Sequence, residues 1–372
     1  MRRFTKIFTW TVIFVLILGI GLAAFTYFYM GKAKFGKAPS GARLELIKKS
    51  PQYKNGQFEN TEHTPTLTDG YSMMGILYDQ VFKSHPNRKP KAPLPHVQTD
   101  LKNLPADKNV LVWFGHSSYF MQIGGVRFLV DPVFSGNASP VPRSVVAFEG
   151  TNTYGVDDLP DIDYLLISHD HYDHLDYKTI KKLKEKTGKV ICGLGVGSHF
   201  EKWGYPAEQL IEADWYDSML LQAGYTVHAT PSRHFSGRGV KRNNTLWMSY
   251  VLETPDLKIY IGGDSGYGAH FAEIGETYGP VDLAILENGQ YNLAWEAIHL
   301  LPEQLLQAAK DLKAKRAFPV HNAKFVLAMH PWDEPLREVT RLNDTNIPLV
   351  TPKIGQVVEL DDPDQKFEAW WF

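Results

Sequence analysis

Cysteine is almost absent: Cys192 is the single thiol in 372 residues. No intrachain disulfide can form and no thiolate set can bind a metal, so any metal must be held by His, Asp or Glu. An excess of charge is missing too. The chain has 39 Lys and Arg against 41 Asp and Glu, a formal net charge of −2, which removes the electrostatic case for a nucleic-acid partner. No internal repeat of short fixed period is present, which speaks against a repeat array. What remains is 44% hydrophobic, 13% aromatic and 22% charged. That composition describes a folded chain of one large domain or two ordinary ones.

Charge is absent from one place above all. Between Lys6 and Lys32 lie 25 uncharged residues, with an apolar run over Val12–Ala24. As a helix this stretch is long enough to cross a hydrocarbon core of roughly 30 Å. Trp10, Tyr27 and Tyr29 stand near its ends, where interfacial aromatics belong. A cleaved signal peptide is the rival reading, but its apolar region should be shorter and end in an Ala-x-Ala-like site. Residues 1–32 are therefore expected to be a single-pass membrane anchor. Arg2, Arg3 and Lys6 before it and Lys32, Lys34, Lys37, Arg43, Lys48 and Lys49 after it pull orientation opposite ways, leaving the side of the membrane open.

Residues 33–105 are expected to be a polar lead-in wrapping the core, rich in turn chemistry (Asn55-Gly56, Pro90 to Pro95), with one short helix over Met73–Lys83. The domain proper is expected over 106–372. Short apolar runs predict strands at Val110–Phe114, Tyr119–Ile123 and Val126–Val130, the last two joined by Gly124-Gly125 as a hairpin turn. Further strands are expected at Tyr164–Ser168, Val190–Cys192, Met219–Gln222, Tyr225–Thr230, Leu246–Glu253, Lys258–Ile261, Val281–Leu286 and Ala317–Val320. Helices are expected over Tyr177–Lys186 and from Pro302, with Leu305, Leu306, Ala309 and Leu312 on one face. Strands with helices interspersed, twice over, predict an α/β domain of two packed sheets with helices outside.

The most informative stretch is Ser168-His-Asp-His-Tyr-Asp-His-Leu175. Three imidazoles and two carboxylates in so short a segment would cost several kcal/mol to bury unpaired. A cation among them resolves this, and imidazole with carboxylate is the ligand set of zinc, iron or manganese. In an extended loop His169 and His171 face the same way, while Asp173 and His174 turn toward a second ion. His234, Asp264 and His321 each end an apolar run beside small or turn residues, where α/β folds place their chemistry.

From about Val110 to Leu360 the chain resembles a metallo-β-lactamase-fold hydrolase, whose His-x-His-x-Asp-His motif is complete at 169–174. Within that superfamily it most resembles the N-acylphosphatidylethanolamine phospholipase D group. The likeness is carried by Gly115-His-Ser-Ser118, Leu129-Val-Asp131-Pro-Val-Phe-Ser135, Thr230-Pro-Ser232, Gly263-Asp-Ser-Gly-Tyr267, Phe271-Ala-Glu-Ile-Gly275 and His299 with Pro302-Glu303. The resemblance implies an αββα four-layer sandwich of two mixed sheets. It also implies two zinc ions (iron or manganese as alternatives). His169, His171 and His234 would hold the first, Asp173, His174 and His321 the second, and Asp264 would bridge them. Catalysis would rest on a hydroxide between the ions, Asp264 and Asp173, with His299 delivering a proton or orienting substrate. His116, Tyr267, Gln290, Tyr291 and Arg233 are the expected substrate-binding residues.

Two departures stand out. The family often carries Trp-Gly after its last His ligand, where Asn322-Ala323 stand here, and its Gly-Ala-Tyr-Glu-like stretch reads Gly289-Gln-Tyr-Asn292. These changes leave the metal chemistry intact and the exact lipid undefined. The basic residues Arg233, Arg238, Lys241 and Arg242 read as a solvated loop in preference to an anion clamp. Trp370-Trp371-Phe372 either touches a membrane interface or folds back. The expected function is a membrane-anchored dinuclear zinc phosphodiesterase acting on a phospholipid, with no nucleic-acid partner and an oligomeric state left open. A lactone, thioester or other ester hydrolase on the same metals is the alternative, and a di-iron redox protein a more distant one.

Overall fold

The computed structural model describes residues 2–372, so Met1, the first residue of the expected 1–32 anchor, lies outside the described residues. Helix α1 (Arg2–Met30) runs unbroken through the uncharged stretch. Within Arg3–Met30 a window reaches a mean hydropathy of 2.4 with none of it buried, so by length and composition this helix can cross a membrane. The lead-in follows as α2 (Ala42–Ile47), the hairpin of β1 (Tyr53–Lys54) with β2 (Gln57–Phe58), and α3 (Met73–Phe82). It is tied to the rest by burial: Ile47 and Phe58 are fully enclosed in the central core. The short helix expected from Met73 forms, N-capped by Ser72 Oγ, which accepts from Gly75 N.

The first sheet uses β3 (Val110–Trp113), β4 (Tyr119–Ile123), β5 (Val126–Val130), β6 (Ile162–Ile167), β7 (Thr187–Gly193) and β8 (Leu210–Ala213), with α4 (Tyr177–Leu183) and α5 (Gly197–Lys202) between them. The second uses β9 (Ser218–Gln222), β10 (Tyr225–Thr230), β11 (Ser249–Glu253), β12 (Lys258–Ile261), β13 (Leu283–Glu287) and β14 (Ala317–Val320), with α6 (His270–Thr277), α7 (Pro302–Asp311) and α8 (Glu334–Leu342). A last strand, β15 (Val357–Glu359), returns to the first sheet. The strand orders are β15-β3-β4-β5-β6-β7-β8 and β14-β13-β12-β11-β10-β9.

Why these runs are apolar without alternation is visible in their packing. In β5 and β6, Phe128, Val130, Tyr164 and Leu166 face the second sheet. The residues between them, Leu129, Leu165 and Ile167, face outward onto α4 and α5 through Ile180, Leu183 and Phe200. In β12 and β13, Ile259, Ile261, Leu283 and Ile285 point inward. Tyr260, Ala284 and Leu286 point out to α6, α7 and α8, against Phe271, Leu305 and Val339. Strands covered on both faces need apolar side chains at every position. The result is a four-layer αββα sandwich, the architecture of the metallo-β-lactamase fold.

Two sequence expectations shift and an open one is resolved. The helix over Tyr177–Lys186 ends at Leu183 and tightens into a 3-10 turn, because Thr187 must enter β7 and its hydroxyl donates to Leu183 O. The strand expected over Leu246–Glu253 starts its ladder only at Ser249. Its first residues bridge the two sheets instead, Leu246 N donating to Leu194 O and Met248 N to Ser168 O. At the C-terminus Trp370 and Trp371 fold back into the core, and the Trp370 indole donates to Thr351 O.

Gly275 shows how tight the outer layer is. A Cβ there would lie 1.9 Å from Asp311 O and 2.9 Å from Leu312 Cα. Gly275→Ala should therefore lower the unfolding free energy by about 1–3 kcal/mol. Denaturant titration of the detergent-solubilised chain measures this, and metal content should not change.

Candidate metal centre

Strand direction brings the site together. In the first sheet β3, β5 and β6 run one way, since β3 and β5 are each antiparallel to β4 and β5 is parallel to β6. In the second, β10, β12, β13 and β14 share a direction by the same logic. The residues just past their C-terminal ends meet at one edge of the sandwich. They are His116 and Ser117 after β3, Asp131 after β5, 168–175 after β6, His234 after β10, Asp264 after β12 and His321 after β14. Ligand chemistry collects at the carboxyl ends of strands in such folds. Three of these turns and the one after β13 are backbone-strained: His116, Asp131 and His321, with Gln290, have φ of 56°, 41°, 66° and 58°, a left-handed region that side chains other than glycine seldom adopt.

All seven side chains expected as ligands converge here. Ring nitrogens of His169, His171 and His234 form one group, and His174, Asp173 and His321, with His116, form a second. Asp264 stands between them. Its Oδ2 lies 3.8 Å from His169 Nε2 and 3.7 Å from His234 Nε2. Its Oδ1 lies 3.2 Å from His174 Nε2 and 3.1 Å from His321 Nδ1.

The outward hydrogen bonds decide which nitrogens face inward. His234 Nδ1–H donates to Ile298 O at 2.9 Å, leaving the Nε2 lone pair inside. His174 Nδ1–H donates to Asp131 Oδ2 at 2.8 Å. Ser168 Oγ donates to the same carboxylate oxygen at 2.5 Å and so accepts from His169 Nδ1–H at 3.0 Å. Lone pairs are thereby aimed at one another, with His169 Nε2 and His171 Nδ1 only 2.8 Å apart and His234 Nε2 3.2 Å from the latter. His174 Nε2 and Asp264 Oδ1 are buried without any hydrogen bond. Orphaned acceptors in this arrangement fit divalent cations, and an imidazole–carboxylate donor set suits zinc, iron or manganese.

The electrostatics agree. Burial, reinforced by neighbouring imidazoles, holds His169, His234 and His321 well below the ordinary histidine range. Burial likewise holds His171 at about 4. All four are neutral and ligand-competent at neutral pH. Burial opposes charge on His174 as well, but Asp264, Asp173 and Asp131 outweigh it and raise its pKa well above that range. Without a cation the pocket recruits a proton in its place. Burial also lifts Asp264 to about 6.

Several expected substrate contacts are placed differently. His116 is fully enclosed, and its Nε2 bonds Asp173 Oδ2 at 2.9 Å; it positions a ligand and does not line the cavity. Arg233 spends its guanidinium on Thr64 Oγ1, Tyr267 O and His63 O, clamping the lead-in. The hydroxyls of Tyr267 and Tyr291 donate to Asp311 and Glu334, away from the centre. Gln290 lines the cavity, but its amide is committed to the backbone of Leu327, Ala328 and Phe325. Arg238, read as part of a solvated loop, is buried and donates to the carbonyls of Asp170 and Leu175.

His299 does face the cavity, and its partner was missed. Its Nδ1 lies 2.6 Å from Glu287 Oε2. Burial pushes the Glu287 carboxyl well above the ordinary range and the imidazole below its own, so the shared proton sits on Glu287. The sequence signal was there: Glu287 ends an apolar run, as His234 and Asp264 do. The cavity holds about 230 Å³, and its remaining wall comes partly from the lead-in, through Thr66, Leu67, Met73 and Ile76.

Comparison with known proteins places the chain in a family. The family described as "Beta-lactamase superfamily domain" matches residues 126–322, which contain all seven side chains. An uncharacterized protein of Mycobacterium tuberculosis is 36% identical over 333 residues, 88% of this chain and 88% of its own. N-acyl-phosphatidylethanolamine-hydrolyzing phospholipase D 1 of Caenorhabditis elegans is 28% identical over 313 residues, 71% of this chain and 86% of that protein. The crystal structure of isothiocyanate hydrolase from Delia radicum gut bacteria superposes with a TM-score of 0.53 at 18% identity, covering 67% of this chain and 98% of that one, a likeness of fold alone.

Metal removal should be visible in stability. A chelator-stripped chain should melt lower, and a divalent metal at 100 times its Kd should restore about 2.7 kcal/mol. Asp131→Asn replaces the acceptor of His174 Nδ1–H with an amide, frees that ring to turn over, and should weaken metal affinity about 10–100-fold. Competition with a chromogenic chelator reads both, and unchanged affinity would remove the role given to Asp131.

Proposed function

The chain belongs to the metallo-β-lactamase superfamily and is a metal-dependent hydrolase; from that premise we propose that it is a membrane-anchored dinuclear zinc phosphodiesterase acting on a phospholipid. The observation that carries the reading is Asp264, one carboxylate oxygen turned to each group of ligands. Two cations held so would supply Lewis acidity toward a phosphoryl oxygen and lower the pKa of water.

The chain's own groups supply the rest. Water attacks phosphorus and gives up a proton to solvent, the bond from phosphorus to the leaving alcohol oxygen breaks, and that oxygen takes a proton from His299, the His299–Glu287 pair regaining one from solvent at the end of the cycle. Glu287 replenishes His299 across their hydrogen bond. His116 and Asp131 hold Asp173 and His174 in place through that step. Phe235, Trp295, Ile298 and Leu327 keep the approach apolar.

Three observations favour a lipid. One relative is named for hydrolysing an N-acyl phosphatidylethanolamine. The chain carries an apolar helix at its N-terminus. And α3, whose Met73 and Ile76 wall the cavity, turns Met74 and Phe82 to solvent at 75% and 71% exposure, with Leu77, Tyr78 and Val81 beside them. An apolar patch of this kind marks a membrane or partner contact. A cavity of about 230 Å³ takes a phosphodiester and part of its substituents, leaving acyl chains to lie along α3.

Metal-loaded protein should release a phosphate monoester from a phospholipid panel. Asp264→Asn should cost at least about 100-fold in kcat; no turnover in the wild type, with nothing changed by the substitution, would end the reading. His299→Ala should cost about 100-fold or more on a phospholipid and far less on a p-nitrophenyl phosphodiester, whose leaving group needs no proton. Met74→Glu with Phe82→Glu should slow turnover of vesicles about 10-fold or more, since each large apolar side chain contributes several buried methylenes. The soluble p-nitrophenyl substrate should be unaffected by that pair.

A further inference from the structure

Five cations surround a second cavity, of about 560 Å³, on the other side of the metal-binding loop: Lys32, Lys34, Arg143, Lys178 and Arg238. Among the described residues none of the five is in an ion pair. The one carboxylate in its wall, Asp176, is committed elsewhere: it accepts from Ser135 N at 2.9 Å, Lys178 N at 3.2 Å and Thr179 Oγ1 at 2.6 Å. Arg238 is 5% exposed, and its Nε is buried without a partner. Lys34 Nζ reaches Tyr29 Oη and Pro140 O, neither of them charged. Five cations facing a single carboxylate leave the concavity with an excess of positive charge, and an anion with several acceptor oxygens relieves this.

The position of the cavity narrows the ligand. Helix α1 ends at Met30, and Lys32 is the first charge after 25 uncharged residues. The cavity opens where that helix meets the catalytic domain, Tyr29 Oη donating to Pro140 O. Its rim, with Val141 beside it, is apolar through Pro140, Pro142 and Val146. A basic pocket with an apolar rim at the foot of a membrane helix matches a phospholipid headgroup at the interface. The cavity shares no lining residue with the metal cavity. It backs onto the metal loop through Tyr172, which sits between His171 and Asp173 and donates to Arg238 O at 2.6 Å.

We propose that this cavity binds the phosphate of an anionic phospholipid as a non-substrate ligand, seating the catalytic domain on the membrane surface. The inference rests on reading α1 as a membrane anchor, and it does not depend on the reaction at the metal centre.

The test is thermal unfolding of the full metal-loaded chain in detergent micelles. Phosphatidylglycerol is titrated in one arm, phosphatidylcholine in a second and inorganic phosphate in a third. Arg143→Gln/Lys178→Gln removes two exposed, unpaired cations of the cavity. Lys181→Gln/Lys182→Gln, on exposed positions of α4 outside it, is the charge-matched control. Phosphatidylglycerol should raise the melting temperature of wild type and control, phosphatidylcholine should not, and the cavity variant should need about 30-fold more phosphatidylglycerol for the same shift. A wild type that does not distinguish the two lipids, or a cavity variant that titrates like the control, would overturn the proposal. So would a shift by inorganic phosphate equal to that by phosphatidylglycerol and lost in the cavity variant, because it assigns the site to a soluble anion. Unfolding needs no turnover, so a failure here leaves the hydrolytic reading standing, and a failure to hydrolyse lipid leaves this one.

Discussion

Inward-facing lone pairs with no hydrogen-bond donor to meet them are the constraint on which this protein is organised. Imidazoles and carboxylates are brought together with their outward N–H groups already bound: His174 to Asp131, His234 to the Ile298 carbonyl, His169 to Ser168. Each outer bond fixes a tautomer, and each tautomer turns an acceptor toward the centre. The strained turns at His116, Asp131 and His321 make sense on the same basis, because backbone strain persists where the surroundings over-determine it. The two sheets supply that rigidity. Their strands are apolar on both faces and locked between helices, so the turns at their ends have little freedom to relax.

Around this centre the chain separates tasks by location. The candidate metal ligands come from strand ends of the sandwich. The Glu287–His299 pair, at the end of β13 and in the loop that follows, holds a proton at the cavity wall. The apolar roof comes from outside the sandwich, from α3 and the residues before it. The lead-in, read in sequence as a polar segment wrapping the core, lines the approach to the site. It is pinned there by Arg233 and by Asn60, whose side chain donates to His234 O. The second, basic cavity lies across the metal loop, where α1 joins the domain. The apolar approach thus lies on one side of that loop and the cationic recess on the other, with no residue in common.

Some residues were legible one by one. The His169–His174 motif could be read because its ligands are close in sequence, and spacing in an extended loop decides which way they face. His234, Asp264 and His321 could be read because a polar residue ending a buried apolar run has few bland explanations. Gly275 was visible as part of a family motif, yet its meaning is steric, the approach of α6 to Asp311. Arg233, Tyr267 and Tyr291 carried the right chemistry for substrate contact. Their side chains turn to Thr64, Asp311 and Glu334 because those partners, distant in sequence, are adjacent in space.

The sequence alone determined most of the elements and the candidate ligand set, since periodicity, apolar runs and a short-range motif are local properties that survive without knowledge of contacts. It also determined that α1 can span a membrane, a matter of length and the absence of charge. Tertiary structure decided everything that depends on pairing across the chain: that Asp264 stands between two groups of imidazoles, that His116 bonds Asp173, and that Glu287 bonds His299. It likewise decided that five unpaired cations from four separate segments share one cavity. The physical reason is the same in each case, for hydrogen bonds and charge pairs act over a few ångströms in space and take no account of separation along the chain.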